Sequence, residues 1–179
     1  MRVFALVSAL FSLSFFAVAA PPPDLALTNV DGDYDQPIAI AAPKDGSNRL
    51  FVVERCVGNT TGKVRIVKNG TLLATSFIEL PVSCTSEQGM LGLAFAPDYA
   101  ASGEFYIALT RPANQPKLGA SADQTIVRCT ATPPSADVAN PSCTTVIRIP
   151  DLADNHNGGD IHFGRDGYLY YSMGDGGIQ

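Results

Sequence analysis

Residues 161–171 read Ile161-His162-Phe163-Gly164-Arg165-Asp166-Gly167-Tyr168-Leu169-Tyr170-Tyr171. The plan is a short strand, a Gly and an Asp turn, then an aromatic strand. It occurs twice more upstream. Ile38-Ala39-Ile40-Ala41-Ala42-Pro43 leads through Asp45-Gly46 to Leu50-Phe51-Val52-Val53, and Leu93-Ala94-Phe95-Ala96-Pro97-Asp98 leads to Phe105-Tyr106-Ile107. Pro43 to Pro97 is 54 positions and Pro97 to Arg165 is 68. A four-stranded propeller blade takes about 40 to 50 residues, so these spacings fit blades carrying loop insertions. Three copies in one order favour a propeller over unrelated hairpins that share common Asp-Gly turns.

The rest of the chain agrees with an all-β reading. Val64-Arg65-Ile66-Val67 and Thr71-Leu72-Leu73 flank Asn69-Gly70. Asn-Gly between strand-like runs is a strong hairpin signal, because both central residues of that turn need positive φ. Phe105 to Leu109, Thr125 to Arg128 and Thr145 to Arg148 read as further strands, and no stretch after residue 20 sustains a 3.6-residue period. About 160 residues at about 45 per blade give at most three to four blades, whereas a propeller has 4 to 8. Residues 20–179 are therefore expected to be the first blades of a longer, incomplete ring.

Residues 1–19 read differently. Arg2 precedes an apolar run from Val3 to Phe16, and Ala17-Val18-Ala19 is a small-x-small cleavage site followed by Pro21-Pro22-Pro23. That is a secretory signal peptide, and the run is too short for a membrane span. Export to the periplasm or outside the cell makes two structural disulfides the default for Cys56, Cys84, Cys129 and Cys143. Four cysteines allow three pairings. The simplest is local, Cys56 with Cys84 and Cys129 with Cys143, the second closing the Pro-rich loop 131–142. Twelve Lys and Arg against 17 Asp and Glu give a net charge of -5, which argues against a nucleic-acid partner. Asn59-Thr60-Thr61 and Asn69-Gly70-Thr71 fit glycosylation sequons.

The most polar, Gly-rich stretch is Asp154-Asn155-His156-Asn157-Gly158-Gly159-Asp160. His156 lies in it just before a strand. An imidazole titrates near neutral pH and suits general-base work, although many loop histidines only cap turns. His162 alternates with Ile161 and Phe163 and reads as a structural residue on the sheet. Glu87 and Gln88 stand in the polar turn Ser86 to Gly92, which is either a pocket wall or a solvated turn. Asp31-Gly32-Asp33-Tyr34-Asp35 opens like a calcium loop but has Gln36 where the loop needs Gly and Ala42 where it needs an acid, so it reads as a turn. Gly174-Asp175-Gly176-Gly177 is no phosphate loop, and no Gly-x-Ser-x-Gly elbow is present.

Two longer motifs carry a resemblance. Glu87-Gln88-Gly89-Met90-Leu91-Gly92-Leu93-Ala94-Phe95-Ala96-Pro97-Asp98-Tyr99 resembles the E-Q-G-L-L-G-L-A-F-x-P-D-F signature of the pyrroloquinoline quinone (PQQ)-dependent soluble glucose/sorbosone dehydrogenases. His156-Asn157-Gly158-Gly159, Phe163-Gly164-Arg165-Asp166-Gly167-Tyr168-Leu169-Tyr170 and Gly174-Asp175-Gly176-Gly177 resemble that family's H-x-G-G…F-G-P-D-G-x-L-Y…G-D-G-G signature. Met90, Ala96 and Arg165 are mild departures. The resemblance implies a six-bladed β-propeller with PQQ and calcium at the centre of one face. It implies oxidation of the C1 hydroxyl of an aldose to a lactone, with His156 as base, hydride passing to the quinone, and an external electron acceptor. It maps substrate-pocket roles onto Glu87, Gln88 and Asn155. The family's main PQQ and calcium ligands fall later than the residues quoted. The competing expectation is a non-catalytic secreted binding propeller, as in the family's Hedgehog-interacting relatives.

Overall fold

The computed structural model describes residues 29–177, apart from 31 and 113. The signal-peptide expectation for residues 1–19 lies outside them. Eleven strands and one short helix form three antiparallel sheets among these residues. The first holds β1 (Pro37–Ala41), β2 (Arg49–Val57), β3 (Thr61–Lys68) and β4 (Thr71–Leu72) in that order, with β5 (Ile78–Pro81) paired to β3. The second runs β6 (Met90–Phe95), β7 (Glu104–Thr110), β8 (Gln124–Thr130) and β9 (Thr144–Ile149), with helix α1 (Tyr99–Ser102) between β6 and β7. The third pairs β10 (Ile161–Phe163) with β11 (Leu169–Tyr171).

The three repeats are the opening hairpins of these sheets. Ile40 pairs with Val52, Leu93 with Ile107, and Ile161 with Tyr171. Strand β6 touches both β1 and β10, so the sheets meet through their first strands. That is how successive blades of a propeller stand around an axis. The Asn69-Gly70 turn has φ of 52° and 83°, the left-handed pair its residues favour. Strand β5 and helix α1 had no sequence expectation: four residues are too few for either period to show.

Two apolar seams hold neighbouring sheets together. Between the first and second, Phe51, Val53, Val64, Ile66 and Phe77 meet Leu93, Phe105, Ile107 and Tyr99, all buried. Phe51 packs edge-on against Phe77 and Phe95 at 4.8 and 4.7 Å, and Phe95 against Tyr99 at 4.6 Å. Each such pair contributes about 0.5–1.5 kcal/mol beyond its area burial. Between the second and third sheets, Ala94, Ala108 and Ile126 receive Ile161, flanked by Phe163, Leu169 and Tyr171.

Both local disulfides form. Cys56, near the end of β2, bridges to Cys84 in the loop before β6 with Cα atoms 5.8 Å apart; Cys129 on β8 bridges to Cys143 just before β9, at 4.4 Å. Such bonds persist in an oxidising compartment. No helix among the described residues is long and apolar enough to cross a membrane.

Candidate functional site

Three loops separated in sequence converge at one end of the sheets. They are residues 83–89 ahead of β6, 151–160 ahead of β10, and 172–177 after β11. His156 stands where they meet. Its backbone is left-handed, with φ of 55°, a conformation that costs a non-glycine residue about 1–3 kcal/mol and that clusters at functional positions. Glu87 offsets part of that cost: its carboxylate Oε2 accepts the His156 N–H at 2.7 Å. In the other direction the Glu87 N–H donates to the Asp154 carbonyl at 3.2 Å. The third loop presses on the same backbone. A Cβ on Gly174 would collide with the His156 carbonyl oxygen, so only glycine allows this approach.

The His156 ring is half exposed, and its Nδ1 lies 2.8 Å from Asp175 Oδ1. The hydrogen bond to Asp175, and then that carboxylate's charge, hold the imidazole above its ordinary pKa, with Glu87 adding to the effect. Asp175 Oδ1 also accepts the Gly177 N–H at 2.9 Å, which fixes the carboxylate within its own turn. With Nδ1–H donated to Asp175, Nε2 is the nitrogen left to accept a proton.

Below the histidine lies a chain of buried, hydrogen-bonded polar groups, in which Asn157 Oδ1 alone has no partner. Asn157 is 1% exposed and donates through Nδ2 to Asp151 Oδ2 at 2.6 Å. The same oxygen accepts Gln124 Nε2 at 3.1 Å, and Gln124 Oε1 accepts the Tyr171 hydroxyl. Burial, then the Asp151 charge, pushes the Tyr171 phenol up to about 12, so it remains a donor. This network ties the motif carrying His156 to β8 and β11.

The expected site residues separate on inspection. His156, Glu87 and Asn155 come together: Asn155 is half-buried beside the 172–177 loop, its Oδ1 against Gly177. Gln88, read beside Glu87 as a pocket residue, is 1% exposed instead. Its Oε1 accepts Ser83 Oγ at 2.6 Å and its Nε2 donates to Ser121 Oγ at 2.7 Å. Both ends of its amide are held by these serines: the turn at Ser86, with φ of 53°, leaves Glu87 exposed and Gln88 buried. His162 lies on β10 as read, but its side chain is 70% exposed and pairs with Asp160 at 2.9 Å, so it packs little. Asp151 and Asp175 were missed. Asp175 was visible within Gly174-Asp175-Gly176-Gly177, a motif that by itself gives the acid no role; Asp151 carries no local signal.

The sequence model of the family described as Glucose / Sorbosone dehydrogenase matches residues 34–179. The chain belongs to the glucose/sorbosone dehydrogenase family. It is similar in structure to the PQQ-bound form of aldose sugar dehydrogenase from Streptomyces coelicolor, at 32% identity and a TM-score of 0.67 over 89% of this chain and 45% of that one. The soluble aldose sugar dehydrogenase from Escherichia coli, in its apo-form, shares the fold at 23% identity and a TM-score of 0.63, over 81% of this chain and 39% of that one. In sequence the chain is similar to the Hedgehog-interacting proteins of mouse and human. The identities are 29% over 160 residues and 30% over 149, covering 85% and 79% of this chain. The chain spans only about a fifth of those relatives, 22% and 21% of their lengths.

Proposed function

We propose that this chain is the N-terminal part, residues 20–179 after a signal peptide of residues 1–19, of a periplasmic or secreted PQQ-dependent aldose dehydrogenase in which His156 is the general base. The observation that carries the reading is the His156–Asp175 pair: an exposed imidazole whose Nδ1 is held at 2.8 Å by a carboxylate. A base for a sugar hydroxyl has to accept a proton at an accessible nitrogen and then stabilise the imidazolium. Asp175 supports both, by fixing the tautomer and by its charge. Glu87 sets the backbone on which the base stands, and Asn155 lines the same loop. PQQ, when bound, supplies the acceptor for the hydride; the residues here manage the proton from the C1 hydroxyl of the sugar.

PQQ carries three carboxylates and needs cationic groups, whereas the charges bearing on His156 are Asp175 and Glu87. Among the described residues no group of three or more His, Cys, Asp or Glu is arranged to hold a metal ion. What supports a second reading, a secreted binding propeller, is the sequence similarity to the Hedgehog-interacting proteins. The two are separated by replacing His156 in the complete protein, loaded with PQQ and calcium and assayed with aldoses and an artificial electron acceptor. Loss of a general base lowers turnover about 100- to 10,000-fold. His156→Ala and His156→Gln should show that loss with unchanged melting temperature. Near-parental turnover would reject the base, and no turnover in the parent would favour the binding propeller.

A further inference from the structure

Glu87 is exposed on a loop, yet it has to present one carboxylate oxygen to one N–H of His156. Something must hold that loop. Arg55, at the Cys56 end of β2, reaches across to it. Its Nη1 donates to the carbonyl oxygens of Ser86 and Gln88 at 2.7 and 2.6 Å, the residues on either side of Glu87. Its Nε and Nη2 both donate to Gln36 Oε1, and its own N–H donates to the Gln36 carbonyl at 3.1 Å. The guanidinium is thus fixed at the start of β1 and spends its remaining donor on the Glu87 loop. The next residue along, Cys56, is bonded to Cys84, which anchors the beginning of the same loop. Ser86, with φ of 53°, turns the chain so that both carbonyls face the arginine.

We propose that Arg55 is a positioning residue for His156, acting through Glu87. A planar guanidinium can bridge two carbonyls and a side-chain oxygen in one fixed geometry; an ammonium cannot hold the same fork. The backbone on either side of Glu87 is therefore locked, and its carboxylate stays aimed at the His156 N–H. Without Arg55 the loop would keep its disulfide at Cys84 and its buried Gln88, so the fold would survive, while the Glu87–His156 bond would loosen. The inference rests on the base reading only for its effect on turnover; the bond itself is independent of it.

The test uses the complete oxidised protein, isotope-labelled for NMR, in four forms: parent, Arg55→Gln, Glu87→Ala and the double variant. The first readout is exchange of the His156 amide, which is slowed only while its hydrogen bond is closed. Arg55→Gln should speed it, as Glu87→Ala should. The second readout is steady-state turnover of an aldose. A misplaced base of this kind costs up to about 100-fold, in kcat rather than KM. Arg55→Gln should add no further loss in the Glu87→Ala background, and Arg55→Lys should recover part of the turnover. Should Arg55→Gln fail to accumulate, Arg55→Lys gives the amide readout. Parental His156 protection in the arginine variants overturns the proposal, and so do losses that multiply in the double variant. If His156→Ala kept its turnover, the base reading would fall, and the amide exchange would still decide the role of Arg55.

Discussion

Strand β2 begins with Arg49 and carries Arg55 near its other end, and the two ends have been put to different uses. Arg49 and Arg55 are six residues apart, about 20 Å along an extended strand. The Arg49 side chain is fully buried. It donates to Asp45 at 2.7 Å, to Ser47 at 2.8 Å, and to the carbonyls of Pro134 and Ala136 at 3.1 and 2.7 Å, and it lies 5.1 Å over the ring of Phe51. Those partners belong to the first hairpin and to the Pro-rich loop of the second sheet, so the charge stitches two blades at a sealed end. Burial would raise the Asp45 carboxyl, but hydrogen bonds from Ser47 and Arg49 bring it below its ordinary value. At the other end Arg55 holds the loop whose exposed acid, Glu87, accepts the N–H of His156. A satisfied, buried charge fixes the frame; a half-exposed one leaves groups open to a ligand.

The sharpest way to break the contrast is at the sealed end. Arg49→Ala leaves Asp45 and several carbonyls without their donor, and removing one partner of a buried pair costs about 3–5 kcal/mol. Urea unfolding should show a loss of that size, with turnover per folded molecule unchanged; an unaltered midpoint would mean that Arg49 is dispensable to the frame. Next is the Cys129–Cys143 bond, which closes the loop Arg49 grips. Replacing both cysteines by Ser should cost about 3 kcal/mol for a loop of this length. The double substitution, read by the same unfolding curve, should leave the His156 end untouched. The smallest effect belongs to His162. Its exposed pair with Asp160 is of the kind worth about 0–1 kcal/mol, so His162→Ala should shift the curve by a few tenths at most, and a larger shift would place it in the packing after all.

How much of this was legible beforehand follows from periodicity and distance. The hairpins at 38–53, 93–107 and 161–171 could be read because strand alternation and Asp turns are local signals. The pairing of Cys129 with Cys143 could be read because 14 positions separate them within one loop. His156 and Glu87 were visible through their motifs. The burial of Gln88 could not be read, because a polar residue at a strand mouth looks open until its partners, Ser83 and Ser121, are known. Asp175 and Arg55 were not assigned roles because their partners lie 19 and about 30 positions away, on other loops. Contacts of that separation are set by how blades pack and leave no pattern in the chain.

The central claim is that Asp175 makes His156 a poised base. It is tested most directly by following the His156 imidazole through a pH titration by NMR, in the parent and in Asp175→Asn. A group whose folded pKa is raised stays protonated to higher pH, so the parental midpoint should lie above the ordinary histidine value of about 6.5. In Asp175→Asn it should fall back toward that value, and the rise of turnover with pH in the complete protein should move down with it. A parental midpoint at or below the ordinary value, or one that Asp175→Asn leaves in place, would contradict the account.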